Sequence, residues 1–556
     1  MSRLDAHGHG LRRHLSAALW RTPLYRLSLW GRTPKTLAPG PSIPARNAPL
    51  KGGQPAAPDL TPIALPPWEA PTIDPERQAM LHGFGWITAA CEESEGAARA
   101  RAILHAWLDQ YRRWDSLAWR ADVMGERLYN WILHAALLAP ADDPKLRRDF
   151  LTAIARQARH LRRVARWEVD GVGRLKALKG LLAALLAMGA GDRQLDAAFR
   201  AIEHEATAQI LRDGGHAGRS PALQLEALLH LMDMRDLIEA AQIEVPEPLV
   251  AAIDRAALML RFFRHGDGRF AIFNDSAEDD SSTLDFALVR SGVKARAPES
   301  APLSGFERLH SGKSLVIVDC GVPPPERCGG HPHASTLSFE MSHGRERLIV
   351  NCGAYRGVSA QWKAAMRTTA AHSTLVVANT PSSDIDDAGR LSAGPRTVTC
   401  KRTEEDGKQW ITASHDGYRA RFGLIHERQI FLDADGDDLR GEDRLTGQAG
   451  QAFAIRFHLH PLVQASLTQD GSAALLRLPS GVGWRLRAEG AVLSLADSVY
   501  LGTGTMRKTL QVVLEGHVGS QGASVRWAIR REGRRSAEAA GVAESAELRK
   551  QQGEHP

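Results

Sequence analysis

The sequence predicts a multidomain protein of separate α and β parts, helical in its first half and built of stacked antiparallel strands, a β-sandwich, in its second. Three observations predict this. The chain has 556 residues, enough for two or three domains that each bury a core. Between about residues 77 and 263, apolar side chains recur at the helical spacing. After Arg264-His-Gly-Asp-Gly-Arg-Phe270 the period changes to two, with Gly and Asp turns between the apolar runs.

Residues 1–76 form a basic, Pro-rich lead. Arg12, Arg13, Arg21, Arg26 and Arg32 alternate there with Leu15, Leu19, Trp20, Leu24, Leu27 and Trp30. Such a stretch can lie on an anionic membrane surface or pack on the main body, and Pro23 interrupts any single helix through it. It lacks the basic, apolar and small-residue succession of a cleaved export signal. Prolines recur from Pro39 to Pro71, as in an extended linker or strap.

Residues 77–264 are read as paired helices, in a solenoid, a bundle or a toroid. Leu146, Phe150, Ile154, Leu161 and Val164 form one apolar seam, flanked by Arg147, Arg148, Arg156, Arg159, Arg162 and Arg163. Leu175, Leu178, Leu182 and Leu185 form another. In residues 265–530, Phe453, Ile455, Phe457 and Leu459 alternate with Ala454, Arg456, His458 and His460, the pattern of a strand with one buried face. Leu315–Val318, Arg347–Val350, Thr374–Val377, Trp410–Ala413, Gln429–Leu432 and Thr509–Leu514 read similarly. Residues 531–556 are charged and Ala-rich, the composition of a disordered tail.

With 43% hydrophobic and 24% charged residues, disordered and fibrous classes are excluded. A net charge of +6 suits an anionic partner such as an acidic glycan, a nucleic acid or a phospholipid surface. No nucleic-acid recognition module accompanies it, so that class is set aside. The five cysteines are scattered and do not make a disulfide framework. No transmembrane span is expected, since the longest apolar stretch, near Leu175–Met188, carries Lys176 and Lys179.

His331 and His333 precede the strand-like Ser335-Thr-Leu-Ser-Phe-Glu-Met341. If extended, residues i and i+2 project from one face, so both imidazoles can approach one point. His372 begins another apolar strand and is a third possible ligand. Glu340, polar on an apolar strand, suits a buried acceptor that orients a histidine or an arginine.

The run "HPHASTLSFEMSHGRERLIVNCGAYRG" (His331–Gly357), followed by "RTTAAHSTLVV" (Arg367–Val377), resembles the core of the heparinase II/III-like polysaccharide lyases. "DGGHAGRSP" (Asp213–Pro221), "HDGY" (His415–Tyr418) and "EDRL" (Glu442–Leu445) fit as well, and the likeness spans roughly residues 80–515. It implies an N-terminal α/α toroid followed by an antiparallel β-sandwich. It also implies cleavage of acidic, uronic-acid polysaccharides by β-elimination in the cell envelope or periplasm. Without a clear signal peptide, the cytoplasmic face is the alternative. Elimination requires neutralising a carboxylate, taking the proton beside it and protonating the leaving oxygen.

Carried over by resemblance, His331 is the catalytic histidine and Tyr355 the sandwich tyrosine. His333, His372 and Asn351 stand at the ligand positions of a structural zinc. Asn351 replaces the usual Asp there, and a neutral amide binds zinc more weakly. Val172 and Gly173 replace a catalytic Asn-His pair, and Leu223 replaces a tyrosine. His216 is the substitute catalytic candidate; Arg219, Arg174 and Lys176 are the candidates for binding a carboxylate. Two functions follow: a lyase, or a glycan-binding or envelope-assembly protein that keeps the scaffold without efficient elimination.

Overall fold

The computed structural model describes residues 15–38, 68, 75–90, 95–279, 281–328, 330–386 and 391–533. Most of the expected linker and the tail beyond residue 533 lie outside them. A short helix, α1 (Pro23–Ser28), starts after Thr22, whose side chain accepts from the Tyr25 amide. The main helices are α2 (Pro75–Gly83), α3 (Gly96–Gln110), α4 (Ala121–Leu133), α5 (Pro144–Val164), α6 (Val172–Ala187), α7 (Asp192–Gln209), α8 (Pro221–Ala240), α9 (Glu247–Phe262) and α10 (Ser281–Ser291).

These helices make the α/α toroid. Helix α4 packs on α6 and α6 on α8, while α5, α7 and α9 pack behind them. The α5 seam is the expected one: Leu146, Phe150, Ile154, Leu161 and Val164 are all buried. Asp143 caps that helix, accepting from the Leu146 amide, and Pro144 fills its first turn, where no amide donor is needed. Gly125 and Gly180 bring α4 and α6 together backbone to backbone; a Cβ on Gly180 would lie 2.1 Å from the Gly125 carbonyl oxygen. Helix α10 also packs on α8 and α9, so helical packing extends past residue 264, and the first strand begins only at Ser300.

The sandwich strands are β1 (Ser300–Ala301), β2 (Phe306–Ser311), β3 (Ser314–Asp319), β4 (Phe339–His343), β5 (Glu346–Val350), β6 (Leu375–Val377), β7 (Asp384–Ile385), β8 (Leu391–Ala393), β9 (Val398–Glu405), β10 (Lys408–His415), β11 (Leu424–Leu432), β12 (Asp438–Gly447), β13 (Ala452–Leu459), β14 (Gln464–Leu467), β15 (Ala473–Arg477), β16 (Gly483–Glu489), β17 (Val492–Tyr500), β18 (Arg507–His517) and β19 (Ala523–Arg531). One sheet runs β1-β2-β3-β4-β5-β13-β18-β17, with β6 also on β13. The facing sheet runs β14-β15-β16-β19-β12-β11-β10-β9. The ladders are antiparallel throughout, as in β4 on β3 and β13 on β18.

The alternation in β13 hides a difference from expectation. Phe453, Ile455, Phe457 and Leu459 face the inter-sheet core, yet Ala454 and His458 are buried as well. The segment carrying Ala370 and Ser373 covers that second face, hydrogen-bonded to the His458 ring and amide. A strand covered on both sides tolerates a polar residue when its groups are satisfied, as those of His458 are.

Candidate functional site

The retained Asp213–Pro221 loop joins the two domains. Arg219, at a positive φ of 54°, aims its guanidinium away from the toroid. Its Nε donates to Ser304 O at 2.7 Å, Nη1 to Val322 O at 2.6 Å and Nη2 to Gly305 O at 3.1 Å, and Nη2 also pairs with the buried Asp319 carboxylate. The group stacks over Phe306 at 4.9 Å. Arg219 is thus committed to holding the sandwich: four of its five N–H donors have acceptors in this chain. This corrects its expected binding role, because the strand ends following the loop supply acceptors on every side.

His216 is likewise committed. Its Nδ1 accepts from the Gly218 amide at 3.0 Å, which leaves Nε2 as the donor to Gln209 Oε1 at 3.0 Å. The ring is buried, and that burial pushes its pKa down to about 4. A neutral, doubly bonded ring buried inside its own loop fastens that loop, an arrangement that lends no support to the catalytic role expected of it.

His331 and His333 are not extended side by side. Pro332 lies between them in an irregular loop; His331 is exposed and His333 is buried. His333 Nδ1 lies 3.0 Å from His372 Nε2. His372 Nδ1 lies 2.8 Å from Thr368 O, a pure acceptor, so His372 carries its proton on Nδ1 and receives one from His333 on Nε2. Burial, and then the cationic neighbourhood including Arg367, holds His333 well below its ordinary range; burial pushes His372 down to about 4. Both rings are neutral, and His333 Nε2 is buried without a hydrogen-bond partner.

The arrangement does not fit a zinc ion. Asn351 turns its carboxamide elsewhere: Oδ1 accepts from the Ser373 amide at 3.0 Å, and Nδ2 donates to Ile272 O and Glu340 Oε1, both at 3.2 Å. The His372 lone pair is taken by His333, so His333 Nε2 is the one unengaged lone pair among the three residues. Among the described residues, no group of three His, Cys, Asp or Glu side chains is placed to hold a metal. Glu340 is the buried acceptor expected of it, 3.1 Å from His265 Nε2.

Around exposed His331 lies a cationic rim. Arg356 Nη2 donates to Asp275 O at 2.6 Å, and Arg367 Nε to Pro332 O at 3.0 Å. Burial lifts the Asp275 carboxyl above its usual range, although Arg356, His331 and Arg367 all pull it down. Tyr355 stacks on Trp362 with ring centroids 6.0 Å apart, its phenol folded over Gly357, where a Cβ would lie 2.4 Å from the hydroxyl. Beside this loop, Pro323, Pro332, Ser382, Arg396, Arg419 and Arg421 border a cavity of about 900 Å³.

On the toroid wall, Arg174 pairs with Asp170 at 2.6 Å and Glu205 at 3.1 Å, and Lys176 with Glu226 at 2.5 Å. Burial would lower the Lys176 pKa, but Glu226 and Glu126 hold it above the ordinary lysine range. Lys179, fully buried, pairs with Glu126 at 3.0 Å and Asp233 at 3.2 Å and lies 4.0 Å over the Tyr129 ring. The cations expected to receive a carboxylate already have carboxylates of this chain.

The family model described as heparinase II/III-like, C-terminal matches residues 293–528. A curated relative from Caulobacter vibrioides, FtsZ-localized protein C, is 33% identical over 479 residues, 82% of either chain. The chain belongs to the heparinase II/III-like family. Solved structures share the fold: a heparinase III with a TM-score of 0.67 at 16% identity, over 84% of this chain and 80% of that one, and the heparan sulfate lyase HepC of Pedobacter heparinus with a TM-score of 0.62 at 17% identity, over 84% and 79%.

Within this heparinase II/III-like chain, Val172, Gly173 and Leu223 bring no polar side chain to the altered positions. Val172 is buried at the start of α6. Leu223 abuts the loop before His331: a Cβ on Gly330 would lie 2.8 Å from Leu223 Cδ1. Sequence reasoning missed Lys179, Glu126, Glu226, His230 and Asp233. The available signal was spacing, since Glu226, His230 and Asp233 fall at i, i+4 and i+7 of α8 and so share one face.

Proposed function

We propose that this protein uses the polysaccharide-lyase scaffold to bind and organise, as an envelope-assembly component, and not to cleave uronate polymers efficiently. The observation that carries this is the self-neutralised toroid wall: Arg174, Lys176 and Lys179 are each engaged by a carboxylate of the same chain. A uronate arriving there would displace an existing ion pair, and no side chain at Val172, Gly173 or Leu223 could move its proton. The name of the Caulobacter relative supports a place beside FtsZ in the division apparatus for this chain too. An acidic glycan would then meet the protein at exposed His331 and at exposed Arg356, whose ion pair with Asp275, at 3.4 Å, is looser than those of the toroid wall, and be held without being cut.

The test is absorbance near 232 nm during incubation with a panel of uronate polymers, since elimination creates an unsaturated, conjugated uronate. The expected result is a flat trace, with an acidic glycan retained in a salt-sensitive manner. A second reading, a lyase with a rebuilt acid/base set, is favoured by exposed His331 close to the Tyr355–Arg356 loop. A rise in absorbance that is abolished in Tyr355→Phe and His331→Ala would replace the first reading with the second.

A further inference from the structure

Cys320 and Cys400 belong to different sheets, and the fold brings their side chains together at one edge of the sandwich. Cys320 directly follows β3, where Asp319 pairs with Phe306, and its amide donates to Gly305 O at 2.8 Å. Its side chain is buried in the inter-sheet core that also holds Leu309, Ile411 and Ala413. Cys400 is on β9, the edge strand of the facing sheet, directly opposite Ala413 of β10. Side chains two positions apart on a strand share a face, so Arg402 marks where the Cys400 face points. Arg402 Nη1 donates to Arg308 O at 2.9 Å and Glu299 O at 2.7 Å, and lies 4.0 Å from Glu307 Oε2. That face of β9 therefore looks across the edge of the sandwich at β1 and β2, where Cys320 is.

The two thiols are in contact and unequal. A hydrogen bond to Cys400, then burial, then the charges of Cys400 and Glu307, push the Cys320 thiol well above its ordinary range. Cys320 is buried and keeps its proton, whereas Cys400 is exposed. A reagent in solution therefore meets Cys400 first, and Cys320 stands directly behind it, within reach of whatever forms on the Cys400 sulfur.

We propose that Cys320 and Cys400 form a redox clasp that closes by exchange with a small-molecule disulfide of the glutathione class. The Cys400 thiolate attacks one sulfur of that disulfide, forming a mixed disulfide and releasing the first small thiolate, which takes up the proton that Cys400 lost. Cys320 then attacks the Cys400 sulfur, and its proton passes to the second departing small thiolate. The bond to the small thiol breaks as the Cys320–Cys400 bond forms, so two protein sulfurs are oxidised and one small disulfide is reduced to two thiols. The closed clasp joins the edge strand of one sheet to the other sheet beside Asp319, the carboxylate that receives Arg219. It also closes the chain between positions 320 and 400 in the unfolded state, so oxidation stabilises the sandwich. An uncovered edge strand is where strands of other molecules can add, and the clasp pins β9 in place.

The experiment incubates the reduced full chain with oxidised glutathione and follows intact mass, non-reducing peptide maps and thermal melts. Expected are a chain lighter by two hydrogens, a linked Cys320–Cys400 peptide, and a melting temperature raised by about 5 °C or more that dithiothreitol returns to the reduced value. Cys320→Val, which keeps the core filled, should stop the reaction at the glutathione adduct of Cys400, and Cys400→Ser should leave Cys320 unmodified in the native protein. If Cys320→Val melts early, the wild-type time course provides the same readout: the Cys400 adduct appears first and decays as the linked peptide grows. A Cys400 adduct that persists in wild type would overturn the proposal. So would a pair that stays reduced at saturating oxidised glutathione, or linkage of Cys400 to a second molecule or to a cysteine other than Cys320.

Discussion

Replacing Arg219 with Met separates an architectural from a ligand-binding role for the Arg-Ser-Pro loop. The substitution keeps most of the aliphatic stem but removes a buried guanidinium that serves three carbonyls and the Asp319 carboxylate. Asp319 is wholly buried and retains Ser335 Oγ at 2.7 Å and the Gly321 amide at 3.2 Å. Breaking a buried ion pair by deleting one partner costs about 3–5 kcal/mol, and the orphaned carbonyls add to this non-additively. The loss should appear as a lower urea midpoint, followed together by helical circular dichroism and by backbone hydrogen exchange in the sandwich strands. The two probes should also separate, because the lost bonds cross between the domains. Asp319→Asn in the same background should cost less than in wild type, since its partner is already gone. A loss below about 1 kcal/mol with coincident transitions, together with weakened binding of an acidic glycan, would refute the strut and return Arg219 to the ligand.

Two further outcomes are expected. Gly180→Ala should destabilise the protein by about 2 kcal/mol or more despite the gain in helix propensity, because the new Cβ meets the Gly125 carbonyl, whereas Gly191→Ala, with nothing within 4 Å, should be close to neutral in the same thermal melts. Stability should also fall as pH drops from about 6.5 to about 4: His216 and His372 stay neutral in the fold down to about 4, whereas the unfolded chain takes up protons from about 6.5. The sign follows from the unfolded state binding more protons, each ring costs at most about 3 kcal/mol across that window, and urea midpoints independent of pH there would contradict it.

The architecture was legible because both periodicities report on burial. The α5 seam and the β13 alternation each reflect a core, and both cores are where they were expected. What the sequence could not show is how the polar groups are spent. His216, Arg219 and Asn351 occupy positions that suggest chemistry, yet each is engaged by groups of this chain: His216 by Gln209 at the end of α7 and by Gly218 in its own loop, Arg219 by Ser304 and Val322 a hundred or so positions on, and Asn351 by Ser373 beside β6. His331 and His333 differ for a local reason, since Pro332 keeps the pair out of a ladder and lets the chain turn one ring in and the other out. The Lys179 cluster escaped notice because its members sit on three helices whose packing depends on Gly125 and Gly180.

The Arg219 bracket also bears on how freely the two domains can move against one another. A hinge needs a compliant joint, and here the joint is a rivet of four acceptors around one guanidinium, sealed beneath Phe306. Any hinging at this joint must break several buried bonds at once, so the toroid and the sandwich are tied where the loop crosses between them.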